Sequence, residues 1–391
     1  MDAVSRPVAG SSMAEMGPRT LRRRIRVGAV YVGAGLGPLG GGVVSPMLPQ
    51  IGESLGVSTH TSALSLTVYL VPFAAVQLIS GTLGERWGRR NTVLGAYLVF
   101  VVGALAAAFA PNITVFLAMR ALLGLANGFT SPLLLAGLAD IVPRHRLTQS
   151  VGIYASCQAA GQSFAPLIGG IAAASSWRWG FVAVAVAAGL LALAPPPGAP
   201  RPGAAAPRWR PLLSRPMALL SVAAFVSYFG SASLPFLVAL FAQDHLGLRP
   251  DVTGVVLLGF GVAGMVLGAV WGMLINKVSA RWCGVIGAVV TAGFVAAVGL
   301  TGSGWQLTVI WTAAGAAASL LNVAMQNLTM RAVPDNRGGA LSVVSAFRFA
   351  GGALAPVILL PFYQLQAGLS FVIAASTLVL AIAALLALRA D

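Results

Sequence analysis

Long apolar runs separated by short polar turns occupy most of the chain. A helix needs about 20 residues to cross a bilayer, and twelve runs have roughly this length. They lie near residues 27–49, 62–83, 91–110, 113–138, 149–174, 179–195, 217–241, 252–275, 283–302, 305–328, 339–362 and 368–388. Because helices satisfy their own backbone hydrogen bonds inside lipid, the pattern predicts an all-α membrane protein with twelve spans.

The composition agrees with membrane embedding. Of the 391 residues, 58% are hydrophobic and only 8% are charged, against about 25% charged in soluble proteins. The net charge of +15 is high enough to suggest nucleic-acid binding. The cations, however, lie in short turns between apolar runs rather than on one soluble surface, so we expect no nucleic-acid partner.

The distribution of cations predicts the orientation. If both termini are cytoplasmic, the inside segments hold 20 of the 24 Lys and Arg residues, and the outside loops hold only Arg178 and Arg249. Cation-rich loops remain inside, so we expect a multi-pass protein of a bacterial cytoplasmic membrane. Residues 1–26 are expected to be a cytoplasmic tail rather than a signal peptide, because the apolar run that follows is long and rich in Gly and Pro.

The chain divides into two similar halves. A Pro-, Ala- and Arg-rich linker at 196–216 separates a bundle at 27–195 from a bundle at 217–388, and such a linker is a semi-rigid tether. Landmarks recur 191 positions later: Gly81, Gly124 and Pro143 become Gly272, Gly315 and Pro334. The interpretation is a duplicated six-helix unit, an architecture typical of transporters whose substrate site lies between the repeats.

Two motifs in the first half carry a family resemblance. Residues 81–90 form a predicted turn that reads Gly-x-x-x-Glu-Arg-x-Gly-Arg-Arg. This resembles the motif between the second and third helices of the major facilitator superfamily, which usually has Asp where this chain has Glu85. Residues 116–124 read Phe-x-x-x-Arg-x-x-Leu-Gly and resemble the fourth-helix motif, with Leu123 where Gln is usual. The resemblance implies two pseudo-symmetric six-helix bundles.

The fifth span narrows the resemblance to exporters. Residues 152–170 read Gly-(x8)-Gly-(x3)-Ala-Pro-x-x-Gly-Gly, similar to the motif of antiporter members with Ala165 in place of Gly. Pro46 and Pro49, which precede Glu53, and the Trp-Arg-Trp-x-Phe stretch at 177–181 resemble the drug-exporter branches. Small residues permit close helix approach in lipid. A hinge against the eighth span and plain helix packing both remain open for Gly152, Gly161, Pro166, Gly169 and Gly170.

The basic motif also predicts a gate. The resemblance implies that a Glu85–Arg89–Asp140 network latches the cytoplasmic side shut in the outward-facing state. The alternative is an orientation signal with ordinary loop salt bridges, each worth under about 1 kcal/mol when exposed. The candidate gate residues are Gly81, Glu85, Arg86, Gly88, Arg89, Arg90 and Asp140.

Two arginines within spans point to a polar cavity. Arg120 lies in the outer half of the fourth span, and Arg348 lies near the middle of the eleventh. Charges inside spans usually face a cavity and mark function. For the amides among the other candidates, interhelical hydrogen bonding is an equal alternative. The remaining cavity candidates are Tyr69, Gln77, Asn127, Gln158, Gln162, Asn322 and Gln326.

None of the nine acids falls in mid-span. Proton coupling would therefore use the rim acids Glu53 and Asp244, the gate acids, or a site modulated by arginine. Two arginines without a carboxylate favour anionic, neutral or zwitterionic cargo.

The sequence therefore predicts a secondary transporter rather than an enzyme. We expect a proton-coupled exporter of small organic molecules such as drugs or secondary metabolites, acting by alternating access as a monomer in the bilayer. The alternative is uptake or facilitated transport of an organic anion or zwitterion. A sensor or membrane enzyme would need a soluble domain or a catalytic cluster. Nothing suggests a cofactor or metal, because there is no Walker loop and Cys157 and Cys283 lack metal-ligand spacing.

Overall fold

A computed structural model describes residues 18–143, 146–198, 213–333 and 337–388. Within these ranges the first half has eight α-helices, and a 3₁₀ turn lies at Ser45–Met47. The helices are α1 Pro18–Gly42, α2 Leu48–Ser54, α3 Thr59–Gln77, α4 Ser80–Trp87, α5 Arg89–Ala108, α6 Ile113–Ile141, α7 Leu147–Ala173 and α8 Arg178–Ala192.

The described part of the second half contains seven α-helices and a π-helical turn at Tyr228–Ala232. The helices are α9 Arg215–Ser227, α10 Pro235–Asp244, α11 Pro250–Lys277, α12 Ala280–Val298, α13 Gly304–Ala332, α14 Arg337–Leu365 and α15 Ala367–Ala387. No strand occurs in the described ranges.

The all-α membrane fold is confirmed. Ten segments of the described chain are long and apolar enough to cross a membrane. The other two predicted spans are α7 and the shorter apolar helix α8. The predicted boundaries hold to within a few residues for most spans. The proposed division at 196–216 stays a prediction, and residues 199–212 of that linker lie outside the described ranges.

The first and seventh spans are interrupted. α1 contains Pro38 and ends at Gly42, and a 3₁₀ turn with Pro46 leads into α2. Pro lacks an amide hydrogen, so the helix cannot continue through Pro46 with its full set of bonds. The seventh span changes to π geometry at Tyr228 before α10 begins. The two breaks fall in corresponding parts of the repeat, because the π turn at 228–232 lies 191 positions after residues 37–41, the last turn of α1 before its end at Gly42.

The predicted turn at residues 81–90 is wrong in its extent. Residues 80–87 form helix α4, and the reversal falls at Gly88 alone, with φ 94°. Glycine adopts this conformation without steric cost, so one residue is enough to join α4 to α5.

Each half packs mainly within itself. α1 and α5 contact α6, α3 also packs on α6, and α5 contacts α8; in the second half α11 and α12 pack on α13, and α9 packs on α14 and α15. Among the described residues the halves meet mainly along two helix pairs, α7 with α11 and α3 with α14, and also where the 3₁₀ turn contacts α10 and α11. Residues of the fifth and eleventh spans are thus placed at the seam between the halves.

One contact shows the duplication directly. A Cβ on Gly124 would lie 1.9 Å from the carbonyl oxygen of Tyr69, and a Cβ on Gly315 would lie 2.2 Å from that of Phe260. Both members of the second contact stand 191 positions after those of the first. The α3–α6 and α11–α13 pairs are therefore the same close approach, which glycine makes possible.

Candidate functional site

The charged residues at the helix ends distinguish two ends of the molecule. The end that carries Arg23, Arg89, Asp140, Lys277 and Arg331 is called the arginine-rich end. The opposite end carries Gln50, Glu53, Gln243, Asp244 and Asp251.

The candidate gate residues whose side chains the structure describes lie at the arginine-rich end. Arg89 at the start of α5 donates from Nη1 to Oδ2 of Asp140 near the end of α6, over 2.7 Å. Arg89 is 3% exposed and the Asp140 side chain 44%. Both helices belong to the first half, so the pair does not itself join the halves. Arg86 and Arg90 are exposed at the same end.

The side chain of Glu85 and residue Gly81 lie outside the described side chains, although α4 passes through both positions. The part of the latch that involves Glu85 therefore stays a prediction.

A segment that the sequence did not connect with the candidate gate covers Arg89. The carbonyl oxygen of Gly198 accepts from the backbone N–H of Arg90 at 3.3 Å. A Cβ on Gly198 would lie 2.6 Å from Cβ of Arg89, and one on Gly137 would lie 2.8 Å from Cβ of Pro196. Residues 196–198 thus shield Arg89 from solvent, and burial strengthens an ion pair relative to an exposed one. No sequence motif predicts the contact between residues 196–198 and Arg89; only the tertiary structure shows it.

Arg120 is fully enclosed in the first half. It is 0% exposed, and its guanidinium donates to the carbonyl oxygens of Gly40 at 2.6 Å, Gly41 at 3.3 Å and Ser65 at 3.3 Å. Its Cζ lies 4.4 Å from the ring centre of Tyr69. The last carbonyls of a helix lack partners within the helix, and Gly40 and Gly41 are the last residues before the end of α1. Arg120 therefore caps the interrupted first span.

Two further cavity candidates belong to this enclosed cluster. The Tyr69 hydroxyl donates to the carbonyl oxygen of Gly37 at 2.8 Å. Asn127 is 2% exposed, and a Cβ on Gly37 would lie 1.7 Å from its Oδ1. Thus Arg120, Tyr69 and Asn127 jointly hold α1 against α3 and α6. Gln77 lies at the end of α3, apart from this cluster, and its buried Oε1 has no hydrogen-bond partner among the described atoms.

Arg348 is held quite differently. This half-buried side chain lies beside two rings, with Cζ 5.4 Å from the centre of Tyr228 and 4.7 Å from that of Phe349. Nη1 reaches Oδ1 of Asn322 over 3.4 Å, a long hydrogen bond. Its Nε is buried without a partner in the described part of the chain.

The surroundings of Arg348 bridge the two halves. Phe349 of α14 packs edge-on against Phe73 of α3, with ring centres 4.5 Å apart. Nε2 of Gln162 on α7 donates to the hydroxyl of Tyr228 at 3.0 Å. We call Phe73, Gln162, Tyr228, Asn322, Arg348 and Phe349 the seam cluster.

The structure brings some sequence candidates into the seam cluster and adds others. Gln162 and Asn322 were predicted, and the exposed Gln326 and half-exposed Gln158 lie one helical turn from them on α13 and α7. Tyr228 and Phe73 were missed. Tyr228 opens the π turn, a feature frequent at functional sites, but no residue pattern in the sequence indicated it.

The glycines of the fifth span face two different partners. A Cβ on Gly161 would lie 2.3 Å from the carbonyl oxygen of Gly35, and one on Gly169 would lie 2.0 Å from that of Val43, both next to the first span. A Cβ on Gly170 would instead lie 2.3 Å from the carbonyl oxygen of Pro250 at the start of α11. The motif therefore packs α7 within its own half and also across the seam.

Of the remaining two residues of that motif, the structure describes the surroundings of Pro166 but not those of Gly152. Pro166 is buried, and its carbonyl oxygen lies 2.8 Å from a Cβ built on Gly254 of α11. Gly152 lies in α7 among the positions whose surroundings are not described.

The halves also meet at the opposite end. The amide groups of Gln50 and Gln243 lie 3.2 Å apart, and Nε2 of Gln243 donates to the carbonyl oxygen of Pro46 at 3.1 Å. The rim acids Glu53 and Asp244 are exposed there, and the hydroxyl of Tyr363 donates to Asp244 at 3.2 Å. Contact between the halves thus runs from mid-span to the opposite end.

Comparison with known proteins agrees with this architecture. A solved POT family transporter in complex with 5-aminolevulinic acid superposes with a TM-score of 0.75 over 92% of this chain and 94% of that one, at 11% identity. The chain is 27% identical over 331 residues to the multidrug efflux protein YfmO of Bacillus subtilis, a match covering 82% of each protein.

Two mycobacterial relatives match more locally. The chain is 35% identical over 159 residues to the multidrug efflux pump LfrA of Mycolicibacterium smegmatis, covering 39% of this chain and 31% of that protein. It is 32% identical over 186 residues to an uncharacterized MFS-type transporter of Mycobacterium tuberculosis, covering 46% of this chain and 27% of the relative.

The family profile covers nearly all of the chain. The profile described as Major Facilitator Superfamily matches residues 30–248 and again residues 220–391. Together with the helical architecture and the repeated contacts, this match shows that the chain belongs to the Major Facilitator Superfamily of membrane transporters.

Proposed function

We propose that this protein is a proton-coupled exporter of small organic molecules that acts by alternating access. The observation that carries the proposal is the seam cluster, in which a mid-span cation and its rings are supplied by both halves. A site built in this way changes shape when the halves rock, as the architecture of two repeats requires. The efflux relative YfmO, matched over 82% of each chain, supports export as the direction.

The positions of the contacts between the two halves support an assignment to one state of the transport cycle. Gln50 with Gln243, and Gly170 with Pro250, join the halves at the opposite end. We place the arginine-rich end in the cytoplasm because cations are retained inside. The arrangement is then closed toward the outside, as expected for a transporter ready to accept cargo from the cytoplasm. A reporter protein that is active only in the cytoplasm, fused after residue 391, tests the orientation. The fusion should be active if this orientation is correct.

The candidate gate fits this state with one refinement. The Arg89–Asp140 pair joins α5 to α6 inside one half and is already formed while the opposite end is in contact. We infer that this pair shapes the gate from within the first half.

Proteoliposomes under an imposed pH gradient test export directly. Uphill movement of a cargo panel containing ethidium and naphthoate is followed together with internal pH. Coupled antiport predicts that at least one cargo accumulates only with the gradient present and speeds the loss of that gradient. Cargo movement independent of the pH gradient would contradict proton coupling, and movement of no cargo in any gradient would contradict transport of these molecules.

A reversible cross-link provides the control for alternating access. Gln50→Cys with Gln243→Cys, placed in a chain with Cys157→Ser and Cys283→Ala, allows a reducible bifunctional thiol reagent to join the opposite ends of the halves. Cross-linking should stop transport, and reductant should restore it. Unchanged transport by the fully cross-linked protein would exclude movement at this contact.

The alternative is uptake or facilitated transport of an organic anion, which Arg348 favours because it lies mid-span near no carboxylate among the described residues of its cluster. Reversing the pH gradient in the same vesicles separates the two. An exporter loses uphill transport of its cargo, whereas a proton-linked importer of an anion gains it.

A further inference from the structure

We propose that the cargo is an organic monoanion carrying an aromatic ring, with its charge on Arg348 and its ring packed against the aromatic side chains of the seam cluster. This inference rests on the proposed transport function and specifies the class of molecule that the same site accepts.

The first argument is the unmet hydrogen-bonding capacity of Arg348. A guanidinium has five N–H donors and no acceptor. Arg348 uses one donor, over 3.4 Å to Asn322, and its Nε has no partner in the described part of the chain. Arg120, by comparison, donates to three carbonyl oxygens.

The second argument is charge. The other members of the seam cluster are Phe73, Gln162, Tyr228, Asn322 and Phe349, and none of them is an acid. A cation inside a span is costly unless it is compensated. An anionic cargo compensates it and gains charge-assisted hydrogen bonds, whereas a cationic cargo meets an uncompensated like charge.

The third argument is the apolar wall around that charge. The rings of Tyr228 and Phe349 lie 5.5 Å apart and edge-on, and Phe73 lies 4.5 Å from Phe349. Such arrangements favour a flat aromatic ligand, which adds edge-to-face or offset contacts. The amides of Gln162 and Asn322 supply neutral polar groups beside them.

The fourth argument links binding to movement. Phe73 and Gln162 belong to the first half, whereas Tyr228, Asn322, Arg348 and Phe349 belong to the second. A cargo that reaches both the cation and the rings therefore contacts both halves at once. Its binding energy then depends on how the halves are placed, as ligand-driven switching requires.

The competing interpretation is that Arg348 only pins α14 to α13 through Asn322. A structural pin predicts that substitution changes stability but not the preference among ligands of different charge. The two interpretations are therefore separated by ligand selectivity, measured on the full chain without any gradient.

The experiment compares three probes that share a naphthalene ring and differ in charge: naphthoate, naphthylmethanol and naphthylmethylamine. Their binding to the full chain in nanodiscs is measured calorimetrically for the native protein, for Arg348→Gln and for Arg348→Lys. Arg331→Gln is the matched control, because it removes one exposed arginine at the end of α13, away from the cluster.

We expect the native protein to bind naphthoate at least about tenfold more tightly than naphthylmethanol, the factor given by one charge-assisted hydrogen bond. Arg348→Gln should bring these two affinities to within about threefold of each other, Arg348→Lys should keep part of the preference, and Arg331→Gln should keep all of it. Comparable affinities for all three probes, tightest binding of the amine, or no binding of naphthoate would each overturn the proposal.

Two features keep the result decisive. If Arg348→Gln does not fold, the ranking of the three probes by the native chain and by Arg348→Lys still answers the question. Because binding is measured at equilibrium, selective binding without proton-driven flux would refute the export mechanism and leave the cargo class standing. Proton-driven export of ethidium but not of naphthoate would refute the cargo class and leave the export mechanism standing.

Discussion

The two halves contain the same helix crossing but stabilise it with different chemistry. In the first half, Gly124 approaches the backbone of Tyr69, and Arg120 lies 4.4 Å from the Tyr69 ring centre. In the second half, Gly315 approaches Phe260, and Trp311 stacks on the Phe260 ring with centres 4.5 Å apart. Trp311 is 191 positions after Arg120, as Phe260 is after Tyr69.

We call these two helix crossings the first corner and the second corner. Their chemistry differs because of the span that each corner supports. Arg120 donates to Gly40 and Gly41, where α1 ends and carbonyl oxygens lack helical partners. The corresponding part of the seventh span makes a π turn, and Ser231 there donates to the carbonyl oxygen of Ser227 at 2.6 Å. The second corner therefore does not require a buried cation, and a large aromatic side chain fills the space. A mid-span arginine can thus serve a helix break rather than a cargo.

The largest expected effect comes from removing the cation of the first corner. Arg120→Gln leaves the carbonyl oxygens of Gly40 and Gly41, at the end of α1, without their donor and removes the hydrogen bond to Ser65. Each unsatisfied buried group costs about 1–3 kcal/mol. We expect a fall in the free energy of unfolding of at least about 3 kcal/mol, measured by thermal unfolding in nanodiscs.

The matched change in the second corner is Trp311→Phe. The Trp311 Nε1 has no hydrogen-bond partner among the described residues, so this change should cost less than Arg120→Gln. Equal losses at the two positions would contradict the capping role of Arg120.

The next effect tests the glycines that both corners share. A Cβ on Gly124 or on Gly315 would clash with a backbone carbonyl, so Gly124→Ala and Gly315→Ala should each lower the free energy of unfolding by about 1–3 kcal/mol. Gly293, where a Cβ meets nothing within 4 Å, is the control, and Gly293→Ala should be neutral or stabilising. A large loss at only one of the two buried glycines would break the equivalence of the corners.

A smaller effect is expected from a substitution that makes the first corner resemble the second. Tyr69→Phe removes the hydroxyl that donates to Gly37 and creates the residue type found at position 260. The expected loss is about 1 kcal/mol, with the cation–aromatic contact of Arg120 retained. Ligand affinities should not change by more than about twofold if this corner only supports α1. A large change in affinity would place Tyr69 in the cargo site instead.

The smallest effect on stability is expected at the other mid-span arginine. Arg348 makes one long hydrogen bond to the described residues, so Arg348→Gln should change the free energy of unfolding by no more than about 1 kcal/mol. A loss as large as that of Arg120→Gln would show that both arginines have the same structural role, and the contrast between them would fail.

The sequence predicted much of the fold because its signals are local. Hydrophobic run length predicted the spans, and the constant offset of Gly124 and Gly315 pointed to a duplicated unit. The gate pair of Arg89 and Asp140 was anticipated and is 2.7 Å apart. The cover formed by residues 196–198 was not, because a contact between distant segments leaves no periodic signal.

For the candidate site, the sequence determined which residues are chemically unusual inside the membrane. It selected Arg120 and Arg348 for the same reason, since each is a cation in an apolar run. Only the tertiary structure separated them, because the donors of Arg120 meet the broken end of α1, whereas Arg348 meets rings and one distant amide. A hydrogen-bond partner across a helix interface depends on which backbone carbonyls are left unpaired there, and that is decided by packing rather than by residue type.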